Sequence, residues 1–202
     1  MNQLVSMYDI DIKNYAKSYF SYLNRVLNEI DLVSVEKFVE YVLSARANNK
    51  TIFFIGNGGS ASTASHFAND FSIGVNNFKP PLKALCLADN VAIVTAIAND
   101  YGYDEIFSRQ LKILGQPGDI LVGISASGNS KNIINAIEVA GDMGLMTVGI
   151  TGFDGGAMKS KVDLNIHVPS GNKEYGPVED AHMILDHLIG SYLMRRTQEE
   201  LE

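Results

Sequence analysis

The chain has 202 residues, 46% of them apolar and 19% charged, with 18 glycines and with 16 Lys and Arg against 23 Asp and Glu, a formal net charge of -7. That length supplies one good core and an extension rather than two independent domains, and the acidic balance argues against a broad nucleic-acid-binding face. The lone Cys86 excludes an intramolecular disulfide, the apolar runs stop well short of the roughly 18 residues a bilayer span needs, and the first residues, with Asp9, Asp11 and Lys13, lack a basic-then-apolar targeting pattern, so a cytoplasmic protein with no nucleic-acid or membrane partner is expected.

Roughly from residue 6 to 48 the chain lacks glycine and proline. Ile12, Tyr15, Tyr19, Leu23, Val26 and Leu27 recur at helical spacing, followed by Leu32, Val35, Phe38, Val39 and Val42, which predicts two helices divided near Asn28–Asp31. Their tyrosine-rich stripe exceeds what one small sheet needs for cover and is a candidate subunit contact; packing within its own domain is the alternative. Strand-length apolar runs follow at Thr51–Ile55, Leu82–Leu87, Asp119–Ile124, Met146–Ile150 and Val162–Val168, alternating with helical stretches at about 60–73, 90–98, 103–114, 130–143 and 178–195. Short runs without polar alternation belong to a parallel sheet covered on both faces, so the expected class is α/β, a three-layer sandwich on a five-stranded parallel sheet plus amino-terminal helices. The expected boundaries are a helical extension for oligomer packing at 1–50, a ligand-binding domain at 51–197 and a polar, frayed tail at 198–202.

The first strand runs into Gly56-Asn57-Gly58-Gly59-Ser60, directly before a helix. Glycines there permit positive φ and close backbone approach, and the new helix directs free N–H groups above the sheet. The spacing is neither the GxGxxG of a dinucleotide site nor a P-loop, and a tight turn without ligand is the alternative. The third strand ends in Ser125-Ala126-Ser127-Gly128-Asn129-Ser130, again before a helix, and Lys131 follows closely enough to add charge. Ser127 or Ser130 as a mere helix cap is one reading; a cage of hydroxyls and amides for the phosphate of a small molecule is the other. Two such loops at strand carboxyl ends, where open α/β sheets place ligands, favour the cage.

With His66-Phe67-Ala68, Thr95–Tyr103, Thr151-Gly152, Asp154-Gly155-Gly156 and a last helix carrying His182 and His187, these loops resemble the sugar isomerase (SIS) domain family, most closely its phosphoheptose isomerase branch, over nearly the whole chain. The resemblance implies a Rossmann-like, flavodoxin-type fold and a homotetramer with active sites between subunits. It further implies interconversion of sedoheptulose 7-phosphate and D-glycero-D-manno-heptose 7-phosphate, in heptose synthesis for lipopolysaccharide or capsule. It assigns phosphate contacts to Ser60, Ser125, Ser127 and Ser130 beside Gly58, Gly59 and Ala126, with Asn57 and Asp89 on the sugar. The family usually has threonine where this chain has Ala126, a loss of one neutral hydrogen bond worth about 0.5–1.5 kcal/mol.

His66 and Asp70, four residues apart, project from one helix face. Glu179 and His187, eight apart on the last helix, differ by about 80° in direction, close enough to serve one site, whereas His182 lies about 140° from His187 and belongs to a helix contact. Aldose–ketose isomerisation needs a base that moves a proton between adjacent carbons and an acid or metal that stabilises charge on the oxygens. The resemblance gives these roles to Asp70 and His187, and implies Zn2+ on His66, Asp70, Glu179 and His187, with Glu179 also at the sugar. Three departures fall at this centre: Asp70 replaces a usual Glu, Glu179 a usual Gln, and Gly74 a common arginine. They imply a specialised branch, acting on a related sugar phosphate or in a capsule pathway. The rival reading is a non-catalytic SIS protein that binds a phosphosugar or a replication initiator; retention of His66, Asp70 and His187 argues against it.

Overall fold

A computed structural model describes residues 2–75 and 80–198. After a single turn, α1 (Gln3–Ser6), come α2 (Ile12–Asn28) and α3 (Leu32–Ala47). The break between them falls where Asp31 turns its side chain onto the Val33 N–H, as Asp11 does onto Lys13 at the start of α2. The chain then alternates: β1 (Thr51–Gly56), α4 (Gly59–Asn69), β2 (Lys83–Cys86), α5 (Val91–Tyr101), α6 (Ser108–Leu114), β3 (Ile120–Ser125), α7 (Lys131–Asp142), β4 (Met146–Thr151), β5 (Leu164–His167) and α8 (Tyr175–Gln198).

All five strands are parallel, in the order β2-β1-β3-β4-β5. The order reverses between β1 and β3, so their carboxyl ends open a crevice at which both candidate loops emerge. β3 is buried along its whole length, as its unbroken apolar run requires. One sheet face packs Phe54, Val122 and Ile150 against Phe38 of α3, Phe67 of α4 and Val178 of α8; the other packs Phe53, Ile55 and Leu121 against Leu111 of α6 and Ile133 of α7. Three layers result. Stacking of Phe54 on Phe67, with centroids 5.2 Å apart, seats α4 directly on β1.

Several boundaries differ from expectation. The helix expected at 60–73 ends at Asn69 and passes into a π-helical turn, Asp70–Gly74. The stretch at 103–114 divides into a 3-10 turn, Tyr103–Glu105, and α6, because Ile106 and Phe107 turn into the core between them. The last helix starts earlier, with Pro177 in its first turn, where a missing N–H costs nothing. It also takes in Gln198, expected in the tail; residues 199–202 lie outside the described residues.

The amino-terminal helices share the main core, with Val26, Phe38 and Val42 fully buried. The tyrosine stripe is spent largely within the chain: the Tyr19 hydroxyl donates to Asp180 at 2.6 Å and the Tyr22 hydroxyl to buried Glu174, tying α2 to the start of α8. What α2 leaves outward is Ile12 and Phe20 instead.

Candidate active site

The glycine loop is shaped by contacts no side chain would tolerate. A Cβ on Gly56 would stand 2.3 Å from the Ser60 carbonyl, and Gly58, at φ +54°, forms the cap of α4. No side chain caps that helix, and its hydrogen bonds begin with Ala61 and Ser62 donating to the Gly58 carbonyl. The Gly59 and Ser60 amides therefore precede the ladder and face the crevice.

At β3, Ser125 Oγ accepts from the Gly128 N–H at 3.1 Å and lies 3.5 Å from Ser130 Oγ. Ser130 opens α7 through its backbone while its side chain makes no cap, which leaves that hydroxyl for a ligand. The loop after β4 presses against this cage: Gly152 N–H donates to the Ala126 carbonyl at 3.0 Å, Ala157 N–H to Asn129 Oδ1 at 3.0 Å and Met158 N–H to the Gly128 carbonyl at 2.9 Å. Gly152–Gly156, singled out in the sequence without a role, thus fixes the shape of the serine loop. Asn57, Ser60, Ser125, Ala126, Ser127, Ser130, Tyr175 and Glu179 line one cavity of about 170 Å3.

Not every expected contact arrives there. Lys131 pairs with Asp104 at 2.7 Å, none of the described residues lining the cavity is a Lys or Arg, and a phosphate would be held by hydroxyls, amides and two helix amino termini. Asp89 is exposed in the turn after β2 and does not line the cavity. Asn57 lines it, but its amide exchanges hydrogen bonds of 2.9 Å with buried Asn132 and accepts from the Tyr103 hydroxyl at 2.8 Å, two partners sequence reading missed. The Cys86 thiol is pushed up to about 12, chiefly by burial, and is no nucleophile at neutral pH. A larger cavity of about 530 Å3 lies among Tyr41, Lys50, Gly118, Gly144 and Asp163, at the opposite ends of the strands, away from every motif.

Farther along α4 and α8, His66, Asp70, Asp186 and His187 bring one donor atom each within 4.8 Å of the others. His66 Nε2 lies 3.3 Å from His187 Nε2, 3.6 Å from Asp70 Oδ2 and 3.9 Å from Asp186 Oδ2. Asp70 begins the π turn, a local unwinding common at functional sites, and sits in contact range of Gly74 and Gly190.

Glu179, expected among the ligands, lies outside this group of four. Eight residues along α8 separate it from His187 by about 12 Å of axial rise. Instead its carboxylate rests on the start of α4, where a Cβ on Gly59 would lie 2.7 Å from both of its oxygens. The fourth member of the group is Asp186, which no motif singled out. It is fully buried, neither of its oxygens has a hydrogen-bond partner, and burial, reinforced by Asp70, pushes its carboxyl up to about 7. The signal was there to find: Asp186 breaks the buried apolar stripe of Val178, Ala181, Leu185 and Ile189. His182 is buried against the backbone of Thr151, the last residue of β4, rather than in the expected helix contact, with burial driving its imidazole down to about 4.

The SIS domain profile matches residues 14–152. The chain belongs to the SIS domain family. Within it, the phosphoheptose isomerase of Aliarcobacter butzleri (strain RM4018) is 41% identical over 77% of this chain and 81% of its own length, and that of Aneurinibacillus thermoaerophilus is 38% identical over 88% and 89%. The phosphoheptose isomerase structure from Neisseria gonorrhoeae superposes with a TM-score of 0.80 at 31% identity, covering 90% of this chain and 98% of that one. The flavodoxin-like topology is therefore shared with that structure, and among the described residues no helix is long and apolar enough to cross a membrane.

Proposed function

We propose that this SIS protein is an aldose–ketose isomerase interconverting sedoheptulose 7-phosphate and D-glycero-D-manno-heptose 7-phosphate. The observation that carries the reading is the placement of two unlike sites on one pair of helices. The phosphate cage meets Ser60 and Glu179, while the proton-handling group lies at His66 to Asp70, about 9–15 Å of helical rise along α4, and at His187, about 12 Å along α8. A seven-carbon chain with bonds of about 1.5 Å spans roughly 10 Å from its first carbons to a phosphorus on its last. On this reading a sugar phosphate anchored in the serines extends its first carbons along the two helices toward Asp70 and His187.

Ser60, Ser125, Ser127 and Ser130, with the amides of both helix starts, bind the phosphate, and Glu179 accepts from sugar hydroxyls. Asp70 takes the proton from C1 of the ketose and returns it to C2, while the exposed His187 imidazole moves the proton between the two oxygens. His66, Asp70 and His187 suit a divalent cation. A tetrahedral zinc with bonds of 2.0–2.1 Å sets its donors about 3.3 Å apart, against 3.3 and 3.6 Å between His66 Nε2 and its two partners here. When bound, such an ion supplies Lewis-acid polarisation of the carbonyl and neighbouring hydroxyl. Zinc is the ion proposed, and a homotetramer the assembly, supported by α5, which has no buried residue although Val91 and Ile93 face outward.

The test is solvent deuterium exchange into sedoheptulose 7-phosphate, followed by NMR. Asp70→Asn and His187→Gln are expected to lose at least about 100-fold in exchange while phosphosugar binding remains measurable. Undiminished exchange in both removes them from the reaction.

A further inference from the structure

Tyr175 is the one aromatic side chain among the described residues that line the serine cavity, and it goes unused in the reaction just described. It stands one helical turn before Glu179 on the same face of α8, half exposed, and among the described residues its hydroxyl has no hydrogen-bond partner. The ring is nevertheless fixed. It meets Phe153 edge to face, with centroids 5.1 Å apart. Phe153 in turn adopts φ +52°, a left-handed backbone that a bulky residue takes only at a cost, and its N–H donates to Ser170 Oγ at 3.1 Å, closing the loop after β4 onto the loop before α8. Both neighbours of Tyr175 are tied down as well. Buried Glu174 accepts from the Gly171 N–H at 3.0 Å and from the Tyr22 hydroxyl, and a Cβ on Gly176 would stand 3.0 Å from the Tyr19 hydroxyl. A free phenol on so constrained a backbone is pre-organised for a group outside the chain.

The chemistry of the cavity says which group. At about 170 Å3 it falls below the roughly 300–1,000 Å3 of pockets that enclose a whole ligand, so it takes one end of a substrate. None of the described residues lining it is a Lys or Arg, and Glu179 adds negative charge, so each neutral donor counts for more. A phosphate accepts, a phenolic hydroxyl donates, and hydrogen bonds to a charged acceptor are the stronger kind. Resting on the phosphosugar reading above, we propose that Tyr175 is a substrate-binding residue that recognises the phosphate end of the ligand, its hydroxyl donating to a phosphate oxygen and its ring walling the cavity, and that Phe153 is the positioning residue that holds the ring.

The experiment titrates the full chain by calorimetry with sedoheptulose 7-phosphate and with glycerol 3-phosphate, which carries the phosphate on too short a stem to reach Asp70. Tyr175→Phe should weaken both about tenfold, the low end for a hydrogen bond to a charged group because the residue is half exposed. Its melting temperature should match the wild type, since the hydroxyl holds nothing in the fold. Phe153→Leu should weaken both ligands about two- to tenfold in the wild-type background and no further in Tyr175→Ala, while its effect on stability persists in both; that coupling separates positioning from folding alone. Wild-type affinity for glycerol 3-phosphate in Tyr175→Phe overturns the inference. So does a loss confined to sedoheptulose 7-phosphate, which moves the hydroxyl to the sugar, and so does a Phe153→Leu effect on affinity that survives in Tyr175→Ala. If Phe153→Leu folds poorly, the Tyr175→Phe titrations still decide the phosphate contact. A wild type that binds glycerol 3-phosphate through Tyr175 without turning over sedoheptulose 7-phosphate sinks the isomerase reading and keeps the phosphate contact; turnover with undiminished affinity in Tyr175→Phe has the reverse meaning, and a wild type that binds neither ligand overturns both.

Discussion

A methyl group at residue 59 would collide with both oxygens of Glu179 at 2.7 Å, and because that carboxylate is the far end of a flexible side chain, it would move rather than the helix. Gly59→Ala is therefore expected to raise KM about three- to tenfold, the value of roughly one hydrogen bond, while the melting temperature holds or rises with the better helix former. Steady-state kinetics and a thermal melt separate the two. Ser127→Ala should likewise cost two- to tenfold in phosphosugar affinity by calorimetry, about 0.5–1.5 kcal/mol; unchanged affinity would undermine the phosphate cage. At this scale the sequence was readable where a residue's role follows from its neighbours in the chain, as for Ser125 to Ser130. It misled where the role depends on what lies across the fold. Lys131 spends its charge on Asp104, and Asp186 is concealed in a helix face where periodicity predicts only packing.

The elements that hold the site were legible because their signals are local: unbroken apolar runs for β1, β3 and β4, and 3.6-residue spacing for α2, α3 and α7. Their ends were less so, since Ile106 and Phe107 interrupt a helix for the sake of the core and Asp70 opens a π turn that no propensity announces. The loop after β4 behaves as a brace for the serine loop. Gly156 adopts φ +55°, and a Cβ there would approach the Ser127 carbonyl to 2.3 Å, a contact with backbone that has no way to yield. Gly156→Ala should cost at least about 1–3 kcal/mol from its left-handed backbone alone and raise KM as the cage distorts, measured by urea denaturation and kinetics. Helix α5 makes a different prediction: Ile93, 42% exposed on an apolar helix with no buried residue, is a place for another copy of the chain. Ile93→Lys should shift the mass in light scattering toward a smaller species; an unchanged mass would assign that face to solvent.

Across the whole molecule, two buried titrating groups on α8 act on stability in opposite senses. His182, held near 4 against an ordinary 6.5, stays neutral when the unfolded chain is protonated, so its contribution is present above pH 6.5 and is lost as pH falls toward 4. Asp186, raised to about 7 from 3.8, holds its proton in the fold when the unfolded chain has released it, so its contribution is present below about pH 4 and is lost as pH rises through 7. In chelator the two largely offset one another between pH 4 and 7. Asp186→Asn should expose the His182 slope, with stability rising by about 3 kcal/mol from pH 4 to 6.5, read from denaturation at several pH values; a profile parallel to the wild type would refute it.

The joint run of α4 and α8, from the Gly59–Glu179 contact to the meeting of Asp70 with Gly190, would also make the proposed isomerase a ruler. On the proposed isomerase reading, substrate length would be measured by the number of residues between the two sites rather than by a wall at the end of a pocket. A five-carbon ketose phosphate seated in the serines would stop roughly 2.5 Å short of Asp70, too far for proton transfer, and should bind with little loss yet turn over at least about 100-fold more slowly. By the same logic, moving the acid–base pair by one helical turn, about 5.4 Å, would set the ruler for a different sugar without altering the phosphate cage.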